Sequence, residues 1–263
     1  MVEDNYLIAL EGQLPKAISQ NELILYFQPK IATKTRKIVG MEALIRWQHP
    51  EQGLLSPDLF IPLAEEIGLI RAIGEWTLKE GCRQLKIWYD LGFKDLKMSI
   101  NVSTYQLQAH NLLDLVDQAL SESALPPSAL EIEITEYVLM DNAEQTLQLL
   151  QALRERGISL AIDDFGTGFS SLSYLKRLPV DAIKIDRSFI HSLSHDQDSR
   201  SIVAAIIQLA HDLRLEVVAE GVEDEADFKI LEDMACDLIQ GYLFSKPLLP
   251  SDFLDFLKNA NLS

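Results

Sequence analysis

The chain has 263 residues, 48% of them hydrophobic, which is enough to bury a core in one large domain or two small ones and excludes a disordered chain. Its 23 basic and 40 acidic residues leave a net charge of -17, which argues against a duplex-binding surface built on phosphate neutralisation; a small anionic ligand fits only if metal ions compensate locally. Cys82 and Cys236, far apart and without metal-ligand spacing, exclude a disulfide scaffold, fit a reducing compartment and read as two buried thiols.

The opening MVEDNYLIALEGQL lacks the basic start and continuous apolar run of a secretory signal, and no stretch reaches the length of a membrane span. A soluble, cytoplasmic protein without a membrane segment is expected. Residues 1–20 are expected to form a leading helix, 21–250 the main domain, and 251–263 a C-terminal helix and tail. Between the ends, strand-like runs alternate with longer helical segments, the pattern of repeated β/α units around a mostly parallel sheet. Eight strands are predicted, near residues 23–28, 39–47, 97–102, 130–135, 159–163, 182–185, 216–220 and 237–242. The connection at residues 34–40 is too short for a crossover helix, so the first two strands should form an antiparallel hairpin.

One unit shows the physical basis. Asp141 can cap a helix whose Leu147, Leu150 and Leu153 form an apolar stripe, and Gly157 supplies the stop before the next strand. IVAAIIQLA at residues 202–210 reads as a core helix. His49, His110, His191, His195 and His211 lie outside the strand ends singled out below and read as surface or loop residues, which makes histidine-rich zinc coordination a poor fit.

Acidic and amide residues recur near the ends of these apolar runs, Glu42, Asn101, Glu133, the pair Asp163 and Asp164, Glu220 and Gln240, and the basic Lys184 stands in the same kind of position. Period-two alternation places Glu133 opposite Ile132 and Ile134, Asn101 opposite Ile100 and Val102, and Lys184 opposite Ile183 and Ile185. The apolar set then packs on helices while the polar set points inward. In a barrel of such units the site lies at the C-terminal mouth, where several strands each supply a residue. Two carboxylates about 5 Å apart repel by roughly 3 kcal/mol at an effective dielectric near 20, so five of them require cations or protonation. Oxygen donors favour Mg²⁺ or Mn²⁺. The adjacent Asp163 and Asp164 suit a two-ion site for phosphodiester hydrolysis, although taken alone such a pair also fits a turn or a helix cap. Lys184 could orient the attacking water, with an internal salt bridge as the plainer alternative.

The ordered motifs GMEALIRWQHP, INVS, EIEITE, IDDFGTGFSSLSYL, IKIDRSFI, VAEGVE and QGYLFSKPL resemble the EAL-type cyclic di-GMP phosphodiesterases over about residues 20–250. The resemblance implies a modified TIM (β/α)8 barrel with an antiparallel first strand. It implies two ions, with Glu42, Asn101, Glu133 and Asp163 as ligands of one and Asp163 bridging to a second that Asp164 holds and Glu220 supports. Lys184 would contact the nucleophilic water, with Glu42 and Glu220 as its catalytic companions. Gln28, Leu44, Arg46 and Gln240 match substrate-contacting positions, Arg46 being suited to phosphate by its fixed donor fork. Glu223 would anchor the loop after Asp164, in which Gly166, Gly168, Ser170, Ser171 and Ser173 favour tight local turns. The loop's surroundings would contribute to a homodimer.

The function so implied is metal-dependent hydrolysis of cyclic di-GMP to linear pGpG. The alternative is a non-hydrolytic cyclic di-GMP receptor acting through partner binding. A glycosidase built on paired carboxylates is a distant third, because that chemistry gives Asn101 and Lys184 no role. A domain excised from a longer sensory protein with regulatory domains, and a stand-alone enzyme, are equally compatible with this sequence.

Overall fold

The computed structural model describes residues 2–109, 111–136, 143–168, 175–191 and 193–260, with 2–9 and 143 by backbone alone. Among the described residues nine strands are found: β1 (Leu23–Ala32), β2 (Ile38–His49), β3 (Gly53–Leu55), β4 (Lys97–Asn101), β5 (Leu130–Thr135), β6 (Ser159–Phe165), β7 (Ala182–Ile185), β8 (Glu216–Glu220) and β9 (Leu238–Gln240). Their order is β1-β9-β8-β7-β6-β5-β4-β2-β3, and the additional pairing of β1 with β2 closes eight of them into a ring. The pairs from β2 and β4 round to β8 and β9 are parallel, whereas β1 runs antiparallel to both β2 and β9. The expected modified TIM barrel with a reversed first strand is what forms.

The hairpin follows from the short link after β1. Arg36 adopts φ 54°, and its N–H donates to the Ala32 carbonyl at 2.7 Å, which turns the chain back within a few residues. β3 has no counterpart in the sequence reading. It is three residues long, folds back on Trp47–His49 through Gly53 at φ 73°, and leaves Leu54 exposed, so it shows no alternation to detect. The last strand is also shorter than the predicted 237–242.

Outward-facing Ile100, Ile132, Ile134, Leu160, Ile162, Ile183, Ile185, Val217 and Ile239 are all buried in one continuous core with the surrounding helices. Leu150 and Leu153 of the helix Ala143–Glu155 join them, and Gly157 at φ 87° ends that segment. The expected cap Asp141 lies outside the described residues. The helix Gln197–Asp212 buries Val203, Ile206, Ile207 and Ala210, in agreement with its reading as a core helix. Both thiols are buried.

A smaller core lies near the N-terminus, where Leu10, Leu14 and Ala17 of the helix Val2–Ala17 pack with Trp47, Phe60 and Ile73. His49 belongs beside it, and this corrects its assignment to the surface. It closes β2, is 4% exposed and shares a 2.6 Å hydrogen bond with Gln13, because the leading helix covers that end of the strand. His110 lies outside the described residues, while His191 and His195 are exposed as expected. At the other end of the chain, the helix Pro250–Ala260 buries Phe253 against Phe27 and Trp88. Among the described residues no helix is long and apolar enough to cross a membrane.

Candidate active site

The barrel interior is charged. Side chains from strands that are not neighbours meet each other, which is possible only across the inside of a closed ring. Lys184 on β7 is fully buried, with Nζ 2.6 Å from Glu133 Oε2, 2.8 Å from Glu220 Oε1, 3.1 Å from Asp163 Oδ1 and 3.4 Å from Glu42 Oε2. Four strands thus direct a carboxylate at one ammonium. Glu42 is further held by Asn101 Nδ2 at 2.6 Å on Oε1 and by Gln240 Nε2 at 2.6 Å on Oε2. Gln240 Nε2 also lies 3.2 Å from Gln28 Oε1, and Gln28 Nε2 donates to the Ser245 carbonyl at 3.2 Å.

Adjacent residues on a strand normally point to opposite faces. Asp163 and Asp164 escape that rule because the β6–β7 register slips between Ile162 and Phe165, and Asp164 takes φ 53°. A bulge of this kind re-aims a side chain at the cost of local pairing, and Asp tolerates the left-handed region better than most residues. Two triads result: Glu42, Glu133 and Asp163, and Asp163, Asp164 and Glu220, each able to bring one oxygen per residue to within 4.8 Å of the others. Asp163 belongs to both.

The electrostatics of this mouth are unbalanced, since five carboxylates face one ammonium. Burial, reinforced by the charge of Asp163, pushes Asp164 up to about 6. Burial pushes Glu220 up to about 8 against the opposing pull of Lys184, and the charges of Asp163 and Glu42 add to the rise. Glu133 is likewise raised, by burial and by Glu42. Burial disfavours the Lys184 ammonium, yet Asp163, Glu133, Glu220 and Glu42 outweigh it and hold the group well above its ordinary value. A donor set of carboxylate oxygens and an amide, short of positive charge, fits hard divalent cations.

Arg46 and Leu44 sit half-buried on the rim. Arg46 donates to its neighbour's carbonyl, Ile45 O, at 2.8 Å, lies 5.9 Å from the Tyr26 ring, and has no carboxylate partner among the described residues. Burial lowers its pKa. Leu44 borders a cavity of about 430 Å³ that runs from Asn101, Asp163 and Asp164 to the apolar Ile61, Pro62 and Ile73.

Glu223 stands apart from this convergence: its side chain is exposed and enters none of the described hydrogen bonds. The loop contact within the described residues comes from Glu136, a residue the sequence reading did not single out. Its Oε2 accepts from the N–H groups of Gly166 at 3.1 Å and Gly168 at 3.2 Å. A Cβ on Gly168 would lie 2.9 Å from that carboxyl group, so a side chain there would push the Glu136 carboxylate away from the loop. Ser170, Ser171 and Ser173 lie outside the described residues.

Three further buried groups were also missed. On β1, Lys30 donates to Ser99 Oγ at 2.6 Å, Glu131 Oε1 at 2.8 Å and Glu133 Oε1 at 2.6 Å. Burial works against the Lys30 ammonium, but Glu131 and Glu133 raise it above its usual value. Burial likewise opposes the Glu131 carboxylate, which Lys30 and Ser99 nonetheless hold down to about 2. The signal was available in the alternation, since Lys30 is two residues past Gln28 and Glu131 two before Glu133.

A closed β/α barrel with a reversed first strand and a carboxylate-lined C-terminal mouth defines the class of protein, and comparison with known proteins gives the family. Residues 11–247 match the EAL domain family, and the chain belongs to it. It is 46% identical over 241 residues to the bifunctional diguanylate cyclase/cyclic di-GMP phosphodiesterase MucR of Pseudomonas aeruginosa, covering 92% of this chain and 35% of that protein. It is 45% identical over 251 residues to the cyclic di-GMP phosphodiesterase NbdA of the same organism, covering 95% of this chain and 32% of that protein. The chain therefore spans about a third of the length of these curated relatives. A solved structure described as PaMucR phosphodiesterase in complex with c-di-GMP superposes with a TM-score of 0.90 at 44% identity, covering 93% of this chain and 99% of that one. The FimX EAL domain of Pseudomonas aeruginosa bound to c-di-GMP gives 0.82 at 28% identity, covering 92% and 96%.

Proposed function

We propose that this chain hydrolyses one phosphodiester bond of cyclic di-GMP to give linear pGpG, using two divalent cations, Mg²⁺ or Mn²⁺. The observation that carries the reading is the pair of carboxylate triads sharing Asp163, with Lys184 at their centre. Glu42, Asn101, Glu133 and Asp163 would hold one ion, and Asp163, Asp164 and Glu220 the other. Bound there, the ions would supply Lewis-acid charge against the phosphoryl oxygens and make water more acidic.

The chain's own groups account for the rest. Arg46, which forms no ion pair among the described residues, offers its donor fork to a phosphate at the rim. The cavity beside Leu44 takes the apolar face of a guanine, and Gln28 on β1, which pairs with β2, and Gln240 on the adjoining β9 present amides to the ligand. Lys184 donates to the incoming water and steadies the charge that grows on phosphorus-bound oxygen. Glu220 would receive the proton that water loses as its oxygen bonds to phosphorus. The bond from phosphorus to the 3′ oxygen breaks, the proton taken up by Glu220 is passed through solvent water to that oxygen, and the ring opens.

The names of the relatives and the c-di-GMP held by the solved neighbours support the substrate. A homodimer formed near the loop after Asp164, attachment to regulatory domains as in the longer relatives, and a cytoplasmic location belong to the same reading. Chromatography of cyclic di-GMP incubated with the purified protein and Mg²⁺, Mn²⁺ or chelator tests it. Conversion to pGpG with metal and none with chelator is expected. Tight binding without turnover in either metal would replace the enzyme by the receptor.

A further inference from the structure

Lys30 is 3% exposed, and none of the roles above uses it. It shares a strand face with Gln28 but lies deeper, because β1 descends from the mouth and pairs Gln28 with Glu42 and Lys30 with Gly40. Its three protons are matched to three acceptors, Ser99 Oγ, Glu131 Oε1 and Glu133 Oε1, and the Ser99 hydroxyl in turn donates a hydrogen bond to Glu131 Oε1 at 2.7 Å. Each partner is buried. Stability does not explain the arrangement, since exchanging a buried ion pair for apolar groups of similar volume is often neutral or favourable.

Geometry does. Glu133 is divided between two ammonium groups, with Oε1 2.6 Å from Lys30 below and Oε2 2.6 Å from Lys184 above. Held from beneath by one oxygen, the carboxylate has only the other to offer to the mouth. We propose that Lys30, with Ser99 and Glu131, is a positioning residue that fixes Glu133 as a one-oxygen donor to the metal centre. The inference rests on the two-cation reading above. Lys30 itself touches no reacting atom. It acts by preventing Glu133 from rotating and offering both oxygens, which would alter the coordination that Glu42 and Asp163 complete. Supporting contacts of this kind tune ligand orientation and affinity.

The test uses Lys30→Met combined with Glu131→Met, which removes the ion pair together and leaves no unpaired charge at position 131. Ser99→Ala is the milder companion and secures a folded variant. Thermal melts establish folding, and Mn²⁺ titration by calorimetry and electron paramagnetic resonance reads the centre without turnover. The folded double variant should bind one Mn²⁺ about 10–100-fold more weakly, with an altered Mn²⁺ spectrum. Its kcat should fall while KM for cyclic di-GMP changes little, and Ser99→Ala should lie between it and the parent. A shift in melting temperature with Mn²⁺ affinity and spectrum unchanged in either variant would reduce Lys30 to a structural residue and overturn the inference. If the parent protein itself fails to bind Mn²⁺, the metal reading falls first and this inference with it.

Discussion

Asn101 Nδ2 donates to Glu42 Oε1 at 2.6 Å, so the two strand-end residues are joined by the amide nitrogen, and Asn101 Oδ1, the atom an amide gives to a metal, has no described hydrogen bond. Glu42 is thereby fixed from one side by Asn101 and from the other by Gln240.

Replacing Glu42 by Ala or Asp163 by Asn should therefore do more than remove a charge. Each substitution takes away a ligand, and Asp163 serves both triads. Hydrolysis should fall by more than the ~100-fold that losing a supporting contact costs, with the circular dichroism spectrum unchanged. Chelation of the parent should act alike and be reversed by Mg²⁺ or Mn²⁺. A folded Asp163→Asn protein with full activity would sink the two-ion account.

Lys184→Met separates chemistry from binding. Turnover should drop by orders of magnitude while calorimetric affinity for cyclic di-GMP, measured with metal present, changes far less. The variant also leaves Glu133 Oε2 and its neighbours without their shared ammonium. Breaking a buried pair from one side costs about 3–5 kcal/mol, so urea denaturation without metal should reveal a large loss that Mn²⁺ partly restores. Unchanged turnover at saturation with a large loss of affinity would make Lys184 a ligand-binding residue.

Metal affinity should rise with pH. Asp164 holds its proton to about 6 and Glu220 to about 8 in the metal-free protein, and an ion must displace both. Below the lower value about two protons leave per pair of ions bound, between the two about one, and above the higher about none, so log K should climb and flatten in that order. The effect on folding has the opposite sign. These carboxyls bind protons more tightly folded than unfolded, so the stability they confer without metal is present at low pH and is lost as pH rises through their folded values. Manganese titrations from pH 5.5 to 9 that gave one constant affinity would contradict this.

Loop control divides between Glu136 and Glu223. Glu136→Ala strips the acceptor from two loop N–H groups, and a disturbed loop shifts Asp164 beside it. Activity should fall about tenfold or more, and the Asp164 side should bind Mn²⁺ less well. Glu223→Ala should act in the same direction and weaken the dimer, to a smaller extent, because its exposed carboxylate makes no described contact with residues 164–168. Activity, metal titration and sedimentation on the same preparations decide. A Glu223→Ala protein matching the parent in all three would leave Glu136 as the anchor.

The barrel was legible because β4, β5 and β7 alternate isoleucine with inward polar residues such as Asn101, Glu133 and Lys184, and because the short link between the first two strands cannot cross over. The mouth was legible for the same reason: its residues stand at strand ends in recurring patterns. What escaped lies deeper or just beyond. Lys30 and Glu131 occupy the same inward faces as Gln28 and Glu133, yet a charge far from the strand end reads as solvated until the opposing charge is seen across the barrel. Glu136 follows its strand, where no periodicity applies. His49 was misplaced because only the leading helix, remote in sequence, buries it.

The reversed first strand has a consequence for how the molecule is approached. Leu23 pairs with Trp47 and Ile31 with Ile38, so the polypeptide comes into the barrel from the rim that carries the carboxylates and leaves at the far end. In a ring of uniformly parallel strands the first strand would start at the opposite face. Here the helix Val2–Ala17 is delivered beside the mouth and shares a core with Phe60 and Leu63 of the helix Pro57–Glu66, whose Ile61 and Pro62 wall the cavity. A tug or twist applied to that helix would reach the wall of the cavity through the helix Pro57–Glu66, without having to traverse the charged interior.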